Sequence, residues 1–97
     1  MQGDGYHSVD SFPVQGYAPD LIGLNAEGRY ANGEAKTADK FDAERTRNKL
    51  KAFGTAKDKD GAWIPLYIAV PKGYEAAMQK TIDGLLAQTG HVRIKGF

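Results

Sequence analysis

The sequence predicts an α/β domain: a mixed β-sheet with flanking helices, in the order strand, strand, strand, helix, strand, helix, strand. Three observations carry this. Residues 20 to 36 read as a β-hairpin, with an apolar first strand and a Gly-containing turn. Two later stretches space their apolar residues as helices do. Between them, Trp63 to Val70 is a nearly continuous apolar run, the pattern of a buried central strand. An antiparallel hairpin followed by right-handed crossovers makes a mixed sheet with helices packed on it.

The 97 residues fit one domain, 1-97, with a single core. A chain this short buries a modest share of its surface, so self-association is expected. Thirteen Lys and Arg against twelve Asp and Glu leave a formal charge of +1, so attraction to nucleic acid must come from a local patch. The absence of cysteine excludes a disulfide framework and thiolate metal sites. No apolar run approaches the ~18 residues that a membrane span needs. The first residues lack the basic and apolar segments of a signal peptide, so a cytoplasmic protein is the default expectation.

In chain order, residues 1 to 5 are Gly-rich and expected to fray. Tyr6 to Val9 suits a short strand, and Phe12 to Tyr17 a further extended piece, with Pro13 marking an edge or a bend. Pro19 holds Ala18 extended, so the chain enters Asp20 in strand-like form. Asp20 to Asn25 is the next strand, Asn25 to Gly28 a turn with Gly28 at positive φ, and Arg29 to Thr37 the returning strand. A helix follows, capped by Asp39 and running to Phe53, with Gly54 as its stop. Phe41, Leu50 and Phe53 form its apolar stripe, helped by Ala43 and Thr46; Lys40, Arg45, Arg47, Lys49 and Lys51 are assigned to the other face. Thr55 to Ala62 is a polar loop. Its Asp58-Lys59-Asp60-Gly61 resembles the start of a calcium loop but lacks the later Glu, so it reads as a turn. Tyr74 to Gln88 is the second helix and His91 to Lys95 the last strand.

The chemistry concentrates in the hairpin. Side chains repeat every second residue along a strand, so Glu34 and Lys36 share a face, and pairing brings Asp20 beside them. A hard divalent cation takes carboxylates and other oxygens, which Asp20, Glu34 and the Ala35 carbonyl can supply. Lys36 would add a positive charge next to it. Metal-assisted phosphodiester hydrolysis uses such a set. The plain alternative is that Asp20 caps a turn after Pro19 while Glu34 and Lys36 are a solvated pair on an amphipathic strand.

Pro19-Asp20, thirteen intervening residues, then Glu34-Ala35-Lys36 resembles the signature of the PD-(D/E)XK nucleases, among them restriction enzymes, archaeal Holliday-junction resolvases and DNA-repair nucleases. An acid, any residue and Lys is a common tripeptide. The preceding Pro-Asp, the hairpin spacing and the following helix give it weight. The resemblance implies a restriction-endonuclease-like core (βββαβαβ) in which Asp20 and Glu34 bind Mg²⁺, or Mn²⁺, and Lys36 is catalytic. It implies a metal-dependent endonuclease acting on DNA, with a junction resolvase as one variant. Cutting both strands would call for a homodimer or higher oligomer. The family's usual N-terminal helix has no counterpart ahead of Asp20 here. That departure supports the rival expectation, a catalytically inactive nuclease-fold module that binds nucleic acid or a partner protein.

Thr37, Lys40, Arg45 and Lys49 are candidate contacts to backbone phosphates, against the alternative of a solvated helix face balanced by Asp39, Asp42 and Glu44. His7 and His91 are isolated and carry no assignment. Trp63 and Tyr67 could stack on bases, but the apolar run around them favours the core. Tyr6, Tyr17 and Tyr30 are candidates to line a cleft near the motif.

Overall fold

The computed structural model describes residues 5–97. The expected fraying of residues 1 to 5 therefore lies outside the described residues, apart from Gly5. The chain is a small α/β protein. Among the described residues it has five strands, β1 (Tyr6–Val9), β2 (Leu21–Asn25), β3 (Tyr30–Ala35), β4 (Leu66–Val70) and β5 (Val92–Gly96). Two helices, α1 (Glu44–Gly54) and α2 (Glu75–Leu85), complete it, with a short 3-10 turn at Ala38–Lys40. The strands lie in sequence order across one mixed sheet. β1, β2 and β3 pair antiparallel; β3, β4 and β5 pair parallel.

This topology decides which face is covered. Both parallel crossovers, β3 to β4 through α1 and β4 to β5 through α2, step the same way along the sheet. Right-handed connections then put both helices on one face. Leu66, Ile68 and Val70 of β4 and Val92 of β5 point at that face. There they pack with Leu50 and Phe53 of α1 and Met78 and Ile82 of α2. Each such side chain contributes about 1.5–3 kcal/mol of transfer free energy. Ile22 and Asn32 share this phase through the register Ile22↔Asn32↔Leu66↔Val92. The opposite face carries Leu21, Gly33, Ala35, Tyr67, Ala69, Arg93 and Lys95, and among the described residues no helix lies on it.

The β2–β3 turn forms as its residues dictate. Asn25 Oδ1 accepts from the Glu27 and Arg29 N–H groups, and Gly28 adopts φ 78°. Phe12 to Tyr17 is not a strand. Val14 and Tyr17 bond to each other across Gln15 and Gly16, both at positive φ, which closes a two-residue turn instead. β4 begins at Leu66 rather than Trp63, after Pro65. Trp63 leaves the core: it stacks on His91 with ring centroids 4.8 Å apart, and Lys57 Nζ sits 4.4 Å from its ring centre. Tyr67 lies on the face away from the helices. α2 ends at Leu85, three residues before Gln88. The Asp58 loop is a turn, as read: Asp58 Oδ1 accepts from the Ala62 and Asp60 N–H groups, and Arg29 pairs with Oδ2 at 2.9 Å. Those bonds, the Ala62 N–H above all, hold its carboxyl below the usual aspartate range.

α1 opens five residues later than Asp39. The Asp39 carboxylate accepts the Thr37 hydroxyl at 2.5 Å and closes a local turn; that bond also holds it below the usual carboxylate range. The N-cap is Ala43, which has no side-chain acceptor.

Candidate functional site

The hairpin brings the three motif residues together at the C-terminal end of β3. Regular pairing with β2 ends at Leu21↔Gly33. Beyond it, backbone and side chain exchange roles. The Asp20 N–H donates to Glu34 Oε1 at 2.9 Å, and the Ala35 N–H donates to Asp20 Oδ2 at 3.0 Å. Pro19 explains why the ladder stops there, because the register sets it opposite Ala35 and it has no N–H to offer that residue's carbonyl. On its other edge β3 continues one step further, with the Lys36 N–H bonded to the Ala69 carbonyl at 3.0 Å.

Glu34 is not a solvated partner of Lys36. Its side chain is 0 % exposed, on the helix-covered face. Two ammonium groups flank it: Lys36 Nζ lies 3.3 Å from Oε2, and Lys49 Nζ lies 3.3 Å from Oε1. Lys36 is expected from the strand alternation. Lys49 is a correction. Assigned from the sequence to a phosphate-binding outer face, it is turned inward with its side chain 10 % exposed. The reason is helical spacing. Ahead of the terminal Gly54, the buried positions of α1 are Thr46, Lys49, Leu50 and Phe53, an i, i+3, i+4, i+7 stripe that already stands in the sequence. A lysine on that stripe is tolerated because Glu34 meets it.

Of the other candidate phosphate contacts, Thr37 is exposed and satisfied by Asp39. Lys40 is exposed on the 3-10 turn, and Arg45 is exposed with its guanidinium 5.9 Å from the Tyr17 ring centre. The tyrosines scatter. Tyr6 meets Tyr67 edge to face, Tyr17 lies under Arg45, and Tyr30 meets Phe12.

Two polar atoms on the covered face of β3 stand out. Asn32 Nδ2 and Glu34 Oε2 are buried without a hydrogen-bond partner; Lys36 Nζ is near Oε2 but outside hydrogen-bonding geometry. The positive charge beside that oxygen is the Lys36 ammonium. Among the described residues no three His, Asp or Glu side chains gather in a way that could hold a metal ion. A metal here would rest on two carboxylates and a backbone oxygen, the donor set that Asp20, Glu34 and the Ala35 carbonyl offer. These hard oxygens fit Mg²⁺ or Mn²⁺.

On the opposite face, a cleft of about 280 Å³ runs past Asp20 and Ala35 between Leu21, Tyr67, Arg93 and Lys95. Arg93 and Lys95 alternate with the inward Val92 and Ile94, so their common face was legible in the β5 pattern. That the face is uncovered depended on where both helices fall. No helix of the described residues is long and apolar enough to cross a membrane. No protein-family model matches the chain, and no curated protein or solved structure matches it.

Proposed function

We propose that the chain is a metal-dependent deoxyribonuclease of the PD-(D/E)XK type, with a restriction-endonuclease-like core and Asp20, Glu34 and Lys36 as its site. One observation carries the reading. A fully buried Glu34 carboxylate, with an oxygen lacking a hydrogen bond, sits against the Asp20 backbone and within 3.3 Å of the Lys36 ammonium. When bound, Mg²⁺ or Mn²⁺ supplies Lewis-acid activation of water and charge stabilisation at the scissile phosphate. Asp20, Glu34 and the Ala35 carbonyl are the groups that would hold it. The Ala35 N–H fixes the Asp20 carboxylate, and the Asp20 N–H fixes that of Glu34, so both acids are oriented before any substrate arrives. Lys36 keeps a positive charge where negative charge builds on the phosphate.

The test is incubation of the purified protein with supercoiled, linear and branched DNA, in Mg²⁺, in Mn²⁺ and in EDTA. Cleavage is expected only with metal. Asp20→Asn and Lys36→Gln should each lower the rate on the order of 10²–10³-fold while the fold, followed by circular dichroism, is retained. Cleavage that survives EDTA, or that ignores both substitutions, would remove the proposal.

A second reading draws on Lys49. With two ammonium groups already on Glu34, its charge is balanced without a metal. That favours a silent module that binds DNA or a partner protein. Metal-independent DNA binding with no cleavage of any substrate would select it.

A further inference from the structure

We propose that the uncovered face of the sheet is a track for single-stranded DNA that leads to Asp20. The destination of the track rests on the nuclease reading; binding along it does not.

The track is continuous. A second cleft, of about 420 Å³, lies beside the one at Asp20, and Tyr67 and Arg93 line both. Together they follow β4 and β5 from Trp63 at one end to Ala35 at the other. At about 3.3 Å per residue, Trp63 to Ala69 spans roughly 20 Å. The floor is small where it nears the site, with Gly33, Ala35 and Ala69, so a ligand can lie close against the backbone.

The chemistry along it is aromatic and cationic. Tyr67 stands mid-track, braced edge to face by Tyr6 at 6.2 Å. Arg93 and Lys95 are exposed and project from the same side of β5. Arg93 is pre-set: its Nη1 donates to the Gly90 carbonyl at 2.6 Å and the Val92 carbonyl at 3.4 Å, which fixes the guanidinium plane and turns its Nε and Nη2 groups to a phosphate. The acids, Asp20 and Glu34, are at the far end only, and the Glu34 carboxylate is turned to the other face. Cations along the path and the Asp20 carboxylate at its end fit a polyanion drawn towards a cleavage site.

Single-strandedness follows from the balance of these groups. Two cations are few for a duplex, whose affinity comes from many phosphate contacts. Tyr67 can stack on bases only where they are unpaired, and stacking of this kind tolerates any sequence. An apolar helix or a second copy of the chain is a poorer occupant, because covering the face would desolvate Arg93 and Lys95 without giving them partners.

The test is fluorescence anisotropy of labelled oligo-dT in EDTA over a salt series, with duplex DNA and oligo-U as further arms. Wild-type protein should bind oligo-dT more tightly than duplex DNA and at least as tightly as oligo-U. Arg93→Gln and Lys95→Gln should each make the log–log salt slope shallower by about 0.7, the value of one lost phosphate contact on a single strand. Tyr67→Leu should weaken binding about tenfold with no change of slope. Lys80→Gln, on the exposed side of α2, should change neither. An unchanged slope in the Arg93→Gln/Lys95→Gln double variant would overturn the track. Tighter binding of duplex or oligo-U would overturn the choice of occupant. A shift of that double variant's sedimentation, with oligo-dT binding intact, would make the face a contact between copies instead. Failure of the nuclease reading is told apart by Asp20→Asn. If DNA is never cleaved but oligo-dT binding still depends on Arg93, Lys95 and Tyr67, the track stands without the enzyme.

Discussion

Glu34 is the residue on which local stability and proposed chemistry converge. Burying an ionised carboxylate costs several kcal/mol unless charges and hydrogen bonds replace water. Here the Asp20 N–H, Lys36 and Lys49 do so. The two lysines are unequal: Lys36 reaches in from the strand end, 18 % exposed, whereas Lys49 is committed to the interior by its place on α1. Lys49→Met keeps the length and the apolar stem but strands Glu34 with one cation. Removing one partner of a buried pair costs about 3–5 kcal/mol, and the lower end applies because Lys36 remains. Adding Glu34→Gln to Lys49→Met should recover at least half of that loss. Urea unfolding of the two single variants and the double variant measures the coupling. If Lys49→Met moved stability by less than about 0.5 kcal/mol, within the range of ordinary surface changes, Lys49 would not be the counter-charge described.

Among the elements, glycine behaves oppositely in the two helices. Gly54 closes α1 against Leu86; a Cβ placed there would come 2.4 Å from Leu86 Cδ1. Leu86 is buried in the core, so its side chain has little room to move aside. Gly54→Ala gains up to about 1 kcal/mol of helix propensity, but overpacking costs about 1–3 kcal/mol. A net loss of about 1–2 kcal/mol is expected. Gly84, near the end of α2, has nothing within 4 Å of its Cβ position. Gly84→Ala should therefore gain about 0.5 kcal/mol. Urea midpoints of the two variants should move in opposite directions. The same contrast explains what the sequence revealed. All five main strands, both helices and their order were legible, because hydrophobic period and Gly or Pro punctuation report which element forms. The start of α1 was not. Asp39 has the chemistry of an N-cap, but Thr37 is near enough to take its carboxylate into a turn. The Asp20–Glu34–Lys36 grouping was legible because strand period and hairpin pairing fix neighbours. The burial of Glu34 and the arrival of Lys49 were not expected, since they depend on how α1 docks on the sheet. The 46, 49, 50, 53 spacing is the available signal, but the charge on Lys49 argues for solvent unless a buried carboxylate meets it.

At the scale of the whole molecule, one hairpin supplies Asp20, Glu34 and Lys36, so each copy of the chain has one proposed site. A single site can cut one strand of a duplex per encounter. If the proposed nuclease acts alone, supercoiled plasmid should pass through an open-circular form, and linear product should appear only as a later, independent cut. If two copies associate, linear product should appear earlier as protein concentration rises, because pairing follows mass action. The fold gives grounds to expect slow nicking at low concentration. β5 forms one edge of the sheet and carries Arg93 and Lys95, charges that discourage edge-to-edge pairing with another copy. β1, at the other edge, is only four residues long, and short edge strands discourage pairing too. For the proposed nuclease the expected outcome is therefore accumulation of open-circular plasmid at low protein concentration, with linear product growing more steeply than in proportion to protein as concentration is raised. A time course resolved by agarose gel, run beside sedimentation at the same concentrations, checks it. Linear product formed without an open-circular stage at the lowest concentration, from a chain that sediments as a monomer, would contradict one site per copy.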